Sequence, residues 1–268
     1  MFWVVAFAGS AAALLLLSPL LLTAGRWQVR RPRTAMTLWF GAFFAGCALA
    51  MGSLLAALVS GMAASDAPSA LEAVAVSAFA WVSLGIVGAV IALVSLAAEP
   101  LIYSYRDRVN RLAPVAVSRE DRGRFTLVRF KSDEPVACAI PGRLPEILVS
   151  TALETALTPS ELRAVLAHEY AHLRHQHGWA VRIAEVNALC LPRGVRAGRA
   201  LKRATLLLVE LIADDAAAKQ VGAANLANAL TRLAQVTGDM SLELRAARLT
   251  MRRWPTARRR RVPAPIRI

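Results

Sequence analysis

The hydrophobic pattern changes character near residue 100. Before it, residues 2–23, 36–62 and 71–98 are almost unbroken apolar blocks. Each exceeds the roughly 20 residues that a helix needs to cross ~30 Å of hydrocarbon, so three transmembrane helices are expected. Gly41, Gly46, Gly52 and Gly61 in the second block, and Gly85 and Gly88 in the third, suit close helix packing in lipid. Residues 100–118 read as a linker. Beyond it, RFTLVRF (124–130), PVACAIPG (135–142) and EILVST (146–151) read as three short strands bounded by Pro and Gly. The period then becomes helical, with Leu162, Val165, Leu166, Tyr170 and Leu173 on one face. Thr158 is the expected N-cap, Pro159 the first helical residue, Glu161 the partner in a capping box and Gly178 the stop. Residues 189–198 break the pattern. Helices are expected over about 199–220 and 223–236, the latter with Leu226, Leu230 and Leu233 on one side. The expected architecture is mainly α: a membrane domain (1–99), a small α+β domain with a three-stranded sheet (119–240), and a basic tail (241–268). That tail is amphipathic at first, then Pro- and Arg-rich and expected to be disordered.

Composition sharpens this picture. Apolar residues make up 56% of the chain, yet the formal net charge is +14. Such a combination points to membrane spans with basic edges. Arg26, Arg30, Arg31 and Arg33 follow the first block, residues 63–70 carry no basic residue, and Arg106, Arg108 and Arg111 follow the third. The positive-inside rule then places the N-terminus outside and everything after residue 99 in the cytoplasm. No basic segment precedes the first block, which speaks against a cleaved signal peptide. The arginines flank apolar blocks without an aromatic reading surface, so nucleic acid is not an expected partner. The chain from Arg245 onward is expected to lie against anionic lipid. Cys47, Cys138 and Cys190 are isolated and give no disulfide framework.

All four histidines fall in LAHEYAHLRHQHG (166–178). Residues four apart share a helix face, so His168 and His172 project two imidazoles side by side, as two ligands of one zinc ion require. Glu169 stands beside the first of them, where it can reach water at the metal without coordinating and act as general base. A catalytic zinc needs a third protein ligand. Glu210 supplies a candidate, because its carboxylate sits in the apolar run TLLLVELIADD (205–215) and burial is costly without a partner. Asp214, one turn on, can accept the outer N–H of a ligand histidine. His175 shares the general face of His168 and is read as solvent-facing or supporting, and His177 as a cation complementing the helix C-terminus; neither is taken as a ligand. Ala137, Cys138 and Ala139 are candidates for a strand edge that receives an extended peptide.

These residues, from Cys138 to Gly178 and then VELIADDAAA, resemble the integral-membrane zinc metallopeptidases of the BlaR/MecR type, with HtpX-type membrane peptidases as near relatives. The resemblance covers about residues 1–240. It implies a zincin-like peptidase domain with one Zn2+ per chain, held by His168, His172 and Glu210, with Glu169 as base and Asp214 supporting a ligand. No serine stands three residues before Lys131, Lys202 or Lys219, so the acylated sensor motif of the antibiotic receptors is missing and β-lactam sensing is not expected. Three functions remain open: a membrane-anchored zinc endopeptidase acting on a protein or peptide, a signalling component whose peptidase inactivates a transcriptional repressor, and a non-catalytic, zinc-stabilised membrane scaffold.

Overall fold

A computed structural model describes residues 2–23, 25–62, 74, 78, 81, 116–190, 196–252 and 254. The third apolar block, most of the expected linker and the Arg-rich end fall almost entirely outside these residues. The chain divides into two compact units, one of residues 1–102 and 181–208, the other of 103–180 and 209–268.

In the first unit, helix α1 (Phe2–Leu22), a single turn α2 (Trp27–Arg30) and helix α3 (Pro32–Met62) account for the first two apolar blocks. Two of the described helices are long and apolar enough to cross a membrane, over Phe2–Pro19 and Pro32–Ala57. Many of their large apolar side chains are exposed, including Trp3, Leu17, Phe44, Leu55 and Val59, and few are buried, which is opposite to the core helix of a water-soluble fold. Among the glycines of the second block, Gly46 is the one where space is decisive. A Cβ there would come within 2.6 Å of the Leu15 side chain on α1. Ser53 donates to the Val4 carbonyl at 2.9 Å, a second tie between the two helices.

The second unit is built on a sheet of four strands, not three. Strands β1 (Ala116–Asp121), β2 (Thr126–Phe130), β3 (Ala137–Ile140) and β4 (Glu146–Ser150) are ordered β1-β2-β4-β3, with β2 and β4 parallel and the other pairs antiparallel. The missed strand, AVSRED, is a polar edge whose side chains are almost all exposed, so it carries no alternation. It also begins inside the segment read as linker. The central strands are buried on both faces. Leu127, Ile147 and Val149 pack with Leu153, Leu157, Val165 and Ala229, while Val128, Phe130, Ile140 and Leu148 form a separate cluster.

Six helices follow among the described residues: α4 (Thr151–Ala156), α5 (Pro159–Arg174), α6 (His177–Cys190), α7 (Arg196–Val221), α8 (Ala223–Thr237) and α9 (Met240–Met251). Helix α5 carries the expected cap. Thr158 accepts from the Glu161 amide and Glu161 accepts from the Thr158 amide. Gly178 is not its stop. Helix α5 ends at Arg174, Gln176 takes a left-handed φ of 52°, and Gly178 lies inside α6. Ala164, Ala167, Ala217, Ala218, Ala227 and Ala246 form a core with Leu226, Leu230 and Leu249, small side chains that let α5, α7, α8 and α9 approach closely.

Helix α9 also corrects the reading of the tail. Arg245 and Arg248 are largely buried and pair with Asp214 and Asp215 of α7, and Arg252 joins Asp215. Arg245 and Arg248 are therefore committed to the fold of the second unit, whereas Arg252 keeps an exposed part of its side chain.

Candidate metal centre

Helix α5 presents His168 and His172 one turn apart, and α7 brings Glu210 to them. The two Nε2 atoms are 3.1 Å apart. Glu210 places Oε2 3.3 Å from His168 Nε2 and Oε1 3.6 Å from His172 Nε2. A tetrahedral zinc with arms of about 2.0–2.1 Å has ligand-to-ligand edges of about 3.3–3.4 Å. The two imidazole nitrogens lie close to that edge length, and one carboxylate oxygen of Glu210 faces each of them, with one ligand atom from each of the three residues within 4.8 Å of the others, so these donors suit a single metal ion. They converge on one point although α5 and α7 are far apart in sequence.

Each histidine is held from its other ring nitrogen. His168 Nδ1 stands 3.0 Å from Asp214 Oδ1, within ion-pair distance. Asp214 is wholly buried and is gripped by Arg245, with Nε at 2.8 Å from Oδ2 and Nη2 at 2.7 Å from Oδ1. Arg245 Nη1 also stands 2.9 Å from Glu210 Oε2. His172 Nδ1 faces His177 Nδ1 at 3.1 Å.

Burial and charge set the protonation of the metal-free site. Burial disfavours the His168 cation, but hydrogen bonds to Asp214 and Glu210 outweigh it and raise its pKa to about 9. Burial and the nearby His168 charge push His172 down to about 4. Burial, with the adjacent His172 and His175, lowers His177 to about 3. Burial alone would raise Glu210, yet the hydrogen bond and charge of His168 and the charge of Arg245 bring it to about 2. Asp214 follows the same logic, with the Arg245 fork and His168 overcoming burial to give about 2. Glu169 moves the other way: burial raises it, the His168 charge opposing and the Glu210 charge assisting.

Of the residues singled out in the sequence, His168, Glu169, His172, Glu210 and Asp214 therefore lie together. Ala137, Cys138 and Ala139 lie on β3, an edge of the sheet, and Glu169 is hydrogen-bonded to the backbone of Ala139. His175 is exposed, with its ring stacked on His177. Two members were missed. His177 is buried at the site and opens α6, where the sequence alone places it as a cation in the last turn of α5. Arg245 was assigned to the tail. Its signal was present, because Arg245, Arg248 and Arg252 recur on one helical face and complement the adjacent Asp214 and Asp215.

Comparison with known proteins places the chain in a peptidase family. The family model described as Peptidase family M48 matches residues 104–241, just over half of the chain. A curated relative, the plastoglobule-localized metallopeptidase 48 of the Arabidopsis thaliana chloroplast, is 47% identical over 51 residues, covering 19% of this chain and 15% of that protein. The chain thus spans only a small part of that relative's length. No solved structure matches significantly.

Proposed function

The chain belongs to peptidase family M48, and from that premise we propose that it is a membrane-anchored zinc metalloendopeptidase. The observation that carries this reading is the convergence of His168, His172 and Glu210, with one ligand atom from each within 4.8 Å of the others, a donor set that suits a tetrahedral zinc ion. These three residues would hold the zinc, which supplies a Lewis acid for the scissile carbonyl and lowers the pKa of water. Glu169, next to the first ligand and raised in pKa by burial, takes the proton of the attacking water and passes it to the leaving amine. Asp214 fixes the His168 ring with Nε2 toward the site, and Arg245 fixes Asp214. The half-buried edge strand β3 lies beside Glu169 and offers backbone groups to an extended protein or peptide substrate.

Anchoring rests on the two apolar helices and their exposed side chains. The arginines that follow the first helix favour a cytoplasmic first loop, and with the apolar block of residues 71–98 as a third span the peptidase domain is cytoplasmic as well. The test replaces Glu169 with Gln, which keeps the shape of the site and removes the base. The variant is expected to retain zinc and lose cleavage. New protein N-termini present in wild-type cells and absent from Glu169→Gln cells would identify the substrate. A variant that cleaves as well as wild type refutes the mechanism.

A further inference from the structure

Of the four clustered histidines, His175 and His177 take no part in metal binding or proton transfer, and of these two it is His177 that is buried. It is among the most buried polar residues of the second unit, with 4% of its surface exposed. Its ring stands edge-on to that of His172, with centroids 4.9 Å apart and Nδ1 facing Nδ1 at 3.1 Å. The backbone makes an unusual concession to place it there. Among the described residues, Gln176 is the non-glycine with positive φ, at 52°. This left-handed residue separates α5 from α6 and makes His177 the first residue of a new helix. A plain continuation of α5 would put residue 177 five positions beyond His172 and turn it away from that ring. Strain of this kind persists where the surrounding structure requires it.

We propose that His177 is the positioning residue of His172: it accepts the His172 Nδ1 hydrogen and so holds the His172 ring with its Nε2 lone pair toward the metal. The assignment of protons follows from the contact. Two Nδ1 atoms at hydrogen-bond distance need one donor and one acceptor. His172 binds through Nε2, so its hydrogen is on Nδ1; His177 is then the acceptor and carries its own hydrogen on Nε2. The two ligand histidines are thereby supported by different chemistry. His168 leans on a carboxylate clamped by an arginine, and His172 on a neutral imidazole. A neutral acceptor leaves the charge of the site unchanged, where a second carboxylate would add another anion beside Glu210.

This assignment rests on the zinc reading above, and its test separates the two. Zinc affinity is measured by chelator competition on the detergent-solubilised full chain, for wild type, His177→Phe and His177→Asn. Phenylalanine keeps the ring without the acceptor; asparagine keeps an acceptor oxygen near the same position. Loss of an outer hydrogen bond to a ligand histidine typically weakens metal binding about 10–100-fold. His177→Phe is therefore expected to bind zinc at least about tenfold more weakly, and His177→Asn less than about tenfold more weakly. A phenylalanine variant that stays within that factor, or an asparagine variant that falls outside it, overturns the proposal. If the phenylalanine variant does not fold, the asparagine variant decides by the same threshold. Wild-type protein that takes up no zinc sinks the metal reading itself, a result distinct from variants that fail to separate.

Discussion

Replacing Arg245 with Gln is expected to be among the most damaging single changes in the second unit. The residue lies in a segment that by composition alone looks like a surface tail. In the fold its guanidinium makes two parallel hydrogen bonds of 2.7 and 2.8 Å to Asp214, whose side chain has no exposed surface. Glutamine cannot reproduce the fork or the charge, so the substitution leaves a buried carboxylate supported by His168 alone. Breaking a buried ion pair from one side costs about 3–5 kcal/mol. At roughly 2–4 °C per kcal/mol for a domain of this size, the midpoint should fall by about 6–20 °C. The assay is thermal unfolding of the metal-free protein in detergent, where zinc cannot mask the loss. Asp214→Asn combined with Arg245→Gln should cost less than the sum of the two single changes, since no unpaired charge remains. An Arg245→Gln cost below about 1 kcal/mol, the range of an exposed pair, would refute the reasoning.

Three further outcomes follow from the same structure. His168 is protonated below about pH 9 in the metal-free site, so zinc uptake at pH 7 displaces a proton. Apparent zinc affinity should therefore rise about tenfold per pH unit toward pH 9, read by competition titration, and a flat profile contradicts the His168–Asp214 contact. The raised pKa has the opposite effect on the metal-free fold: the stability that the His168 cation contributes is complete below its ordinary value of 6.5 and is lost as pH rises through about 9. Melting of the chelated protein should accordingly fall across that window. Thr158→Ala removes the side chain that accepts from the Glu161 amide and should cost about 1 kcal/mol, measured by denaturant unfolding; no change would mean that the capping box carries no stability.

The sequence and the fold agree most closely where a signal is local. Helix α5 was legible because its cap, its apolar stripe and HEYAH lie within one stretch. Glu210 and Asp214 were legible because acidic groups in an apolar run need partners. The neighbouring elements were harder to see. Strand β1 is polar and exposed, so pairing with β2 and not burial defines it. His177 was misplaced because Gly178 is the conventional place to end a helix, whereas the chain turns at Gln176, a residue with no special tolerance for positive φ. Arg245 was hidden among many arginines, and only the packing of α9 on the second unit identifies Asp214 as its partner.

The central claim is that a carboxylate on α7 completes a zinc site begun by two histidines on α5. Its most direct test is metal content of purified wild type beside His168→Ala and Glu210→Ala, with unfolding of each chelated protein as a control for folding. The account predicts one zinc per wild-type chain and little in either variant, although both remain folded. Wild-type protein without zinc, or a folded Glu210→Ala variant with a full complement, would contradict it.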